Sequence, residues 1–223
     1  FVGSRGLGDV YKRQHQKGCR ETGITLHQRS VMNVVIIDYG AGNIQSIRFA
    51  LARLGITATL SDDETTIKNA SHVIFPGVGE ASSAMEKLRA TGLGNLLPRL
   101  TQPVLGICLG MQLMCNHTEE GDTAGLGIFD TEVVRFETHL NVPHMGWNTV
   151  EGKGLLFNDI DANSHFYLVH SFYAVPNKDM VGACTYDVRF AAALAKDNFY
   201  GTQFHPEKSG AVGARLLQNF LTL

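Results

Sequence analysis

A cysteine framed by two glycines is the feature of this sequence best suited to chemistry. Cys108 stands in the stretch Gly106-Ile-Cys-Leu-Gly110, where the apolar run 104–107 gives way to a helical pattern. A sharp strand-to-helix turn that lifts a nucleophile above a sheet needs small residues two positions away on each side. The N–H groups of the helix that follows favour the thiolate, and the amide of Leu109 can point at an oxyanion. The pattern predicts a nucleophilic cysteine, the alternative being a small buried hydrophobe.

His205 is the best candidate for the base that such a nucleophile needs. It follows the predicted strand 199–204, and the proline after it keeps it extended. Because residues i and i+2 of an extended segment project to the same face, Glu207 can orient the imidazole and stabilise its charge. His144 and His170 are rival bases, but neither has a carboxylate within three residues. The sequence therefore predicts a Cys–His–Glu triad.

A second glycine-rich turn, Pro76-Gly-Val-Gly79, follows another predicted strand. Its glycines allow backbone N–H groups to approach a ligand closely. We expect it to complete an oxyanion hole with the amide of Leu109. A plain turn is the alternative.

Alternating strands and helices must position these residues. Strand–turn–helix units recur, which predicts a parallel sheet, and ligands of such sheets bind beyond the carboxyl ends of the strands. All the candidate residues lie at those ends. The later β-rich segments predict mixed or antiparallel strands, so the expected fold class is α/β, a doubly wound, mostly parallel sheet flanked by helices with an added mixed or antiparallel β part. The predicted units are 33–38 with 44–54, 72–75 with 80–90 and 104–107 with 109–116; the β-rich segments are 131–136, 147–150, 166–169 and 181–186; strand 199–204 and helix 210–223 end the chain.

Composition limits the possible classes of function. The chain has 223 residues, 44% of them apolar and 18% charged, which suits one soluble α/β domain. The formal net charge of -2 provides no basic field that would gather nucleic acid or anionic lipid. No apolar run approaches the ~20 residues that span a bilayer. The four cysteines are scattered without a C-x-x-C pair, so we expect no disulfide framework, no metal site and a reducing, cytoplasmic location; we interpret Cys115 and Cys184 as core residues.

The first 31 residues differ from the rest. They are polar, basic and rich in glycine, without helical or strand periodicity, and they lack the apolar region of a signal peptide. The string Asp9-Val-Tyr-Lys-Arg-Gln14 resembles a translated sequencing adapter. We therefore expect 1–31 to be a non-native extension before a domain at 32–223, with the natural protein beginning at Met32. A real disordered extension is the alternative, and a Tyr11-containing peptide from native cells would support it.

Together the motifs resemble the triad-type, class I glutamine amidotransferases, across residues 32–223. The resemblance rests on Pro76-Gly-Val-Gly79, Gly106-Ile-Cys-Leu-Gly-Met-Gln112, the Glu119-Glu120 pair and Phe204-His-Pro-Glu-Lys-Ser209. Three further strings resemble one branch of that family, the glutaminase subunits of imidazole glycerol phosphate synthase in histidine biosynthesis. These strings are Asp38-Tyr-Gly-Ala-Gly-Asn43, Pro143-His-Met-Gly-Trp-Asn148 and His170-Ser-Phe-Tyr173.

The resemblance implies a flavodoxin-like amidotransferase fold, no cofactor, and hydrolysis of glutamine to glutamate. It also implies a heterodimer with a (β/α)₈ cyclase subunit, which receives the ammonia and acts on a phosphoribulosyl aminoimidazole nucleotide. The free subunit is then expected to be a poor glutaminase that needs its partner, since uncoupled ammonia release would waste glutamine.

The family also implies a role for each matching residue. Cys108 attacks the glutamine amide, His205 moves the protons, and Glu207 holds His205. The backbone N–H groups of Val78 and Leu109 bind the oxyanion. The remaining matches are Gly79, Gln112, Glu120, Ser171 and Phe172 for glutamine binding, and Asn43, Trp147 and Lys208 for the cyclase interface and ammonia route. Thr118 departs from the family by replacing a serine before the glutamate pair, but it keeps the hydroxyl.

Three other functions are alternatives. Gly40-Ala-Gly-Asn-Ile-Gln45, with Asp62 further on, partly imitates a dinucleotide fingerprint, but Gln45 replaces the third glycine and would spoil helix packing. Another cysteine-dependent amide hydrolase or amidotransferase of the same fold, and a catalytically silent partner-binding module, are the others. Outside the family resemblance, Trp147 is interpreted as a core aromatic and Lys208 as a solvated charge.

Overall fold

Five parallel strands form the half of the main sheet that carries Cys108. The structure is a computed structural model, which describes residues 32–40 and 42–223. The strands are β1 (Val34–Ile37), β2 (Thr59–Ser61), β3 (His72–Gly77), β4 (Val104–Cys108) and β14 (Phe199–Thr202). They lie in the order β2-β1-β3-β4-β14, and each adjacent pair is parallel. This is the 2-1-3-4-5 order of flavodoxin-like folds, as the predicted class requires.

Helices cover both faces of this parallel half, which explains its continuous apolar strands. In β1 every side chain is buried, but Val34 and Ile36 belong to one core cluster and Val35 and Ile37 to the other. The first cluster includes residues of α1 and α6, and the second includes residues of α3, α4 and α5. The helices are α1 (Ile44–Arg53), α2 (Glu64–Lys68), α3 (Ala81–Ala90), α4 (Leu93–Leu96), α5 (Leu109–Leu113) and α6 (Gly210–Phe220), with 3₁₀ turns at Leu97–Arg99, Leu155–Phe157 and Pro206–Lys208.

The second half of the sheet is mixed, as the later β-rich segments predict. From β14 the sheet continues β13-β11-β7-β5-β6, in which only β5 and β7 are parallel, and β12 pairs with β13 and β9. Two further strands, β8 and β10, pair antiparallel with each other as a separate ribbon. The strands are β5 (His117–Thr118), β6 (Thr123–Ala124), β7 (Glu132–Arg135), β8 (His144–Thr149), β9 (Glu151–Gly152), β10 (His165–His170), β11 (Phe172–Ala174), β12 (Met180–Tyr186) and β13 (Val188–Lys196).

Strand β13 is the largest element that the sequence pattern did not predict. Its centre, Ala191-Ala-Ala-Leu-Ala195, is rich in alanine, which favours helix over strand. Tertiary context overrides that preference because β13 is enclosed by neighbouring strands. It pairs with β14, β12 and β11, and its side chains from Phe190 to Leu194 are buried.

The helix after Cys108 is shorter than the predicted 109–116. It ends at Leu113, because the carbonyl groups at its end accept hydrogen bonds from the segment 126–129 and not from a further helical turn. Leu126 N–H donates to Leu113 O, and Phe129 N–H donates to Met114 O. The last helix ends at Phe220, three residues before the predicted end.

The predicted extension at residues 1–31 lies outside the described residues, so the expected boundary at Met32 stays a prediction. Within residues 32–40 and 42–223, no helix is long and apolar enough to cross a membrane. In the same residues no group of three or more His, Cys, Asp and Glu side chains is arranged to hold a metal ion.

Candidate active site

Cys108 lies on the sharp turn that its two flanking glycines predict. It is the last residue of β4 and has φ 55° and ψ −113°, a strained conformation for a residue with a side chain. Neither glycine leaves room for a methyl group. A Cβ on Gly110 would lie 2.1 Å from Phe75 O, and one on Gly106 would lie 2.6 Å from Met114 Sδ. Close packing of α5 on the sheet therefore requires both glycines.

The predicted oxyanion turn leaves the sheet beside the nucleophile. Strand β3 extends through Pro76 to Gly77, and Gly77 is paired with Cys108 in the parallel ladder. Val78 and Gly79 follow at once, and Gly79 has φ +96°, which a glycine adopts without strain. The turn is thus shorter than the predicted one, since its first two residues belong to the strand.

His205 and Glu207 form the predicted hydrogen-bonded pair, but Glu207 lies in the 3₁₀ turn Pro206–Lys208 and not in the extended segment from which the pair was predicted. Nδ1 of His205 lies 2.8 Å from Oε1 of Glu207, and the side chains are 4% and 1% exposed. The backbone holds this pair against the ribbon, since His205 N–H donates to Tyr167 O and Ser209 Oγ donates to His205 O. The second carboxylate oxygen of Glu207, Oε2, is buried without a hydrogen-bond partner among the described residues.

The protonation of His205 depends on Cys108 and Glu207. Burial lowers the pKa of His205, but hydrogen bonds and charge interactions with Cys108 and Glu207 outweigh burial and raise that pKa to about 9. The imidazole is therefore protonated at neutral pH. Cys108 Sγ also lies 3.7 Å from Gln203 Nε2 and 4.0 Å from Val169 O. Two polar groups, one from β10 and one from the segment before His205, therefore lie next to the thiol.

A cavity of about 310 Å³ opens above Cys108. It brings together the predicted nucleophile, both predicted oxyanion residues and all five residues predicted to bind substrate. Three residues that were not predicted to bind substrate complete its wall. The predicted members are Val78, Gly79, Cys108, Leu109, Gln112, Glu120, Ser171 and Phe172, and the others are Pro143, Val169 and His170.

Glu120 provides the acidic group of this cavity. Its Oε2 accepts the N–H of Ala81 at 3.0 Å, which anchors the carboxylate at the start of α3. Burial raises its pKa, the hydrogen bond from Ala81 opposes this, and the nearby charge of Glu80 adds to the increase. The Thr118 hydroxyl accepts the N–H of Glu120 at 3.2 Å, so the threonine at this position supplies the hydroxyl that the turn uses.

The three residues predicted to meet a partner lie outside the cavity lining. Trp147 is 56% exposed on β8 and packs edge-on against Tyr167 of β10. Lys208 Nζ lies 5.7 Å from the centre of the same tyrosine ring. Asn43 is half-buried at the start of α1, where its side chain makes no capping hydrogen bond.

Gln203 is a site residue that the sequence reasoning missed. It is fully buried, its Nε2 contacts Cys108 Sγ, and its Oε1 accepts from Gln112 Nε2 at 2.9 Å. Its position two residues before His205 was the available signal, because alternate residues of an extended segment share a face. The rival bases His144 and His170 contact each other, with 3.0 Å between Nδ1 of His144 and Nε2 of His170.

Comparison with known proteins identifies the class to which this site belongs. Residues 35–223 match the family described as glutamine amidotransferase class-I. The chain belongs to the class-I glutamine amidotransferase family, so the family predicted from the motifs is confirmed.

Two relatives of high sequence identity belong to one branch of this family. The chain is 53% identical over 197 residues to the imidazole glycerol phosphate synthase subunit HisH of Bacteroides thetaiotaomicron, a match that covers 86% of this chain and all of that protein. It is 47% identical to the protein of the same name from Haemophilus influenzae, over 86% of this chain and 98% of the relative.

Solved structures share the fold at low sequence identity. A structure described as a glutamine amidotransferase has a TM-score of 0.69 and 19% identity, over 85% of this chain and 98% of that one. The structure of PurLQS from Thermotoga maritima has a TM-score of 0.66 and 17% identity, over 86% of this chain and 98% of the matching one. These matches support the α/β fold.

Proposed function

We propose that this protein is the glutaminase subunit of an imidazole glycerol phosphate synthase, which hydrolyses glutamine and delivers ammonia to a cyclase partner. The observation that carries the proposal is the 53% identity to a HisH protein along that protein's whole length. The cavity supports it, because Cys108, the predicted oxyanion residues Val78 and Leu109, and the carboxylate of Glu120 line one space of about 310 Å³.

The first chemical step is attack by the Cys108 thiolate, whose proton His205 already carries, on the side-chain amide of glutamine. The Sγ–Cδ bond forms, and the amide oxygen becomes an oxyanion that the N–H groups of Val78 and Leu109 stabilise. One such donor contributes about 3 kcal/mol to transition-state stabilisation. His205, protonated at neutral pH, then gives its proton to the leaving nitrogen as the C–N bond breaks. Ammonia and a thioester are the products of this step.

The second step returns the enzyme to its starting state. His205, now neutral, takes a proton from water as the water oxygen attacks the thioester carbonyl. The same oxyanion donors act again, and the C–S bond breaks to release glutamate. Glu207 keeps the proton of Nδ1 in place through its 2.8 Å bond, so that Nε2 is the nitrogen that exchanges protons with the reactants.

Recognition of glutamine uses the other residues of the cavity. Glu120 pairs with the α-ammonium group of the substrate, since it is the carboxylate among the lining residues. Gly79, Gln112, Ser171 and Phe172 enclose the rest of the substrate. Their shared wall favours a short, linear γ-amide.

Transfer of ammonia requires a partner surface. We propose that Asn43, Trp147 and Lys208 lie at the cyclase interface, because Trp147 is an exposed aromatic residue and Lys208 packs over the neighbouring Tyr167 ring. Aromatic residues and exposed apolar groups of this kind are enriched at interfaces. We further propose that the heterodimer works in the cytoplasm, since the four scattered cysteines suit a reducing compartment.

The test combines the purified chain with a cyclase protein and measures glutamate release, with and without the nucleotide ligand of the cyclase. We expect co-purification of the two proteins and a glutaminase rate that rises when the liganded cyclase is present. Failure to form a complex, or equal rates under both conditions, would contradict the proposal.

A second measurement separates this function from that of another amide hydrolase of the same fold. Ammonia release from glutamine is compared with release from other γ-glutamyl amides. Preference for glutamine supports the proposal. Preference for a different amide would favour the alternative enzyme.

A further inference from the structure

A chain of hydrogen bonds leads from strand β8 to the wall of the glutamine cavity. Asn148 Nδ2 lies 3.3 Å from His144 Nε2, and His144 Nδ1 lies 3.0 Å from His170 Nε2. His170 Nδ1 in turn lies 2.8 Å from the carbonyl oxygen of Phe172. We call these four groups the histidine relay. Both imidazoles are buried, with 3% and 6% of their surface exposed.

The direction of every bond in the histidine relay can be deduced from its last member. A carbonyl oxygen only accepts, so His170 Nδ1 carries the hydrogen and donates to Phe172. In a neutral imidazole the other nitrogen is then the acceptor, which makes His144 Nδ1 the donor to His170 Nε2. His144 Nε2 is left as the acceptor for the amide of Asn148. Burial lowers the pKa of His144 to about 4 and, together with the neighbouring histidines, that of His170 to about 3, so both rings are neutral as the relay requires.

The amide of Asn148 fixes the beginning of the histidine relay. Its nitrogen also donates to Thr185 O at 3.0 Å, and its oxygen accepts the N–H of Thr149 at 2.8 Å. A flipped amide would break both bonds. His144 is held as well, because its ring stacks on Tyr186 with 4.0 Å between centroids.

The end of the histidine relay is shared with the substrate-binding residues. Phe172 O accepts a second hydrogen bond from Gln112 Nε2 at 2.9 Å. The same Nε2 donates to Gln203 Oε1, and Gln203 Nε2 contacts Cys108 Sγ. A displacement of the Phe172 carbonyl would therefore move Gln112 and alter the surroundings of the thiol.

We propose that His144 and His170 are positioning residues, which hold the Phe172 carbonyl and, through it, Gln112 in the arrangement that binds glutamine. They exchange no proton with the substrate. This inference rests on the proposed glutaminase function. It predicts an effect on KM for glutamine, because binding in the ground state and the transition state is weakened alike.

The test compares two variants of His170 that differ in one hydrogen bond. In His170→Asn the amide nitrogen takes the place of Nδ1 and can still donate to Phe172 O, whereas His170→Leu cannot donate. We expect His170→Leu to raise KM for glutamine about 10-fold, the effect of one buried hydrogen bond, with kcat within about twofold. His170→Asn should recover most of that loss. His165→Leu, an exposed histidine on the same strand, is the matched control.

His144→Phe provides an independent variant if His170→Leu fails to fold. The phenyl ring keeps the shape and the stacking on Tyr186 but removes both hydrogen bonds of His144. We expect the same rise in KM. Wild-type KM in His144→Phe and in a folded His170→Leu would overturn the inference, as would a loss of kcat with an altered pH–rate profile, which indicates proton transfer. All of these rates are measured with the liganded cyclase present, and a wild-type protein that stays inactive under that condition would overturn the proposed glutaminase function itself.

Discussion

Two histidine sites in this protein are similarly buried and yet differ in protonation, one being positively charged and the other neutral at neutral pH. His205 is 3% exposed and has its pKa raised to about 9, because its partners are Glu207 and Cys108. His144 and His170 are 3% and 6% exposed, and burial lowers their pKa values to about 4 and about 3; for His170 the nearby histidines lower the pKa further.

Burial alone therefore does not decide the protonation state of a histidine. Burial disfavours the imidazolium ion in both sites, but an adjacent carboxylate more than compensates in one of them. A protonated imidazole can give a proton to a leaving group, whereas a neutral pair with fixed hydrogens can only hold its neighbours in place. We propose that proton transfer belongs to the site of His205 and positioning to that of His144 and His170, and four changes test this division.

Removal of the thiol should have the largest effect. Cys108→Ala deletes the nucleophile, and we expect glutamine hydrolysis to fall about 10⁶-fold, as for other deleted nucleophiles. The change also removes the interaction with Cys108 that raises the pKa of His205. NMR titration of the imidazoles should therefore show a lower pKa for His205 and unchanged, low values for His144 and His170.

Cys115→Ala is the matched control for this variant. Cys115 is a buried thiol whose pKa burial raises to about 12, and it lies outside the cavity lining. The glutaminase activity of Cys115→Ala should stay near that of the wild type. Substantial glutaminase activity in Cys108→Ala, with free ammonia withheld, would contradict the assigned nucleophile.

Loss of the carboxylate should make the two histidine sites more alike. Glu207→Gln keeps the size of the side chain but removes its charge, and we expect kcat to fall about 10⁴-fold, as for an Asp-to-Asn change in an analogous triad. In the wild type, kcat/KM should fall as the pH rises through about 9, where His205 loses its proton. Because Glu207 raises that pKa, the alkaline limb should move to lower pH in the variant.

The exposed Glu86 of α3 provides the comparison for this experiment. Glu86→Gln removes one negative charge without touching the triad, so both kcat and the alkaline limb should be retained. An alkaline limb at the wild-type position in Glu207→Gln would show that the carboxylate does not set the protonation of His205.

The sequence predicted the first of these sites far better than the second. The sharp turn at Cys108 was predictable from the glycines two residues away on each side, and the pairing of His205 with Glu207 from their closeness in the sequence, although a 3₁₀ turn rather than an extended segment brings them together. The histidine relay was not predictable, since His144 and His170 are 26 residues apart and meet only where β8 pairs with β10. No local pattern specifies such a cross-strand register.

The strands also differ in how well the sequence predicts them. The parallel strands were predictable because both of their faces are buried, which gives continuous apolar runs such as Val34–Ile37. Strand β13 was missed because its alanine-rich centre is set by its neighbours rather than by its own propensity. Gln203 was missed for lack of any titratable group, although it lies on the same face of the segment as His205.

The two sites should also give opposite slopes of stability against pH. His144 and His170 have lowered pKa values, so their contribution to stability is present above the unfolded pKa near 6.5 and is lost as the pH falls towards about 4 and about 3. His205 has a raised pKa, so its contribution is present below about 6.5 and is lost as the pH rises through about 9.

His144→Phe should flatten only the acid side of this profile. As the pH falls from 6.5 to 5, the free energy of unfolding of His144→Phe should decrease by about 1.5 kcal/mol less than that of the wild type. Denaturant titration at each pH measures this difference. His72, whose pKa burial also lowers, and Glu120 contribute equally to both proteins and cancel. Parallel acid-side profiles for the two proteins would refute the neutral state assigned to His144.

Gln203 connects the two sites and allows the smallest, most discriminating change. Gln203→Met keeps a linear side chain of similar size but removes the acceptor of Gln112 Nε2 and the contact with Cys108 Sγ. We expect KM for glutamine to rise about 10-fold or less, the effect of one hydrogen bond. Because Glu207 still pairs with His205 at 2.8 Å, the alkaline limb should stay near pH 9. Gln218→Met on α6 is the control, and an alkaline limb displaced in Gln203→Met alone would mean that Gln203 also governs the proton of His205.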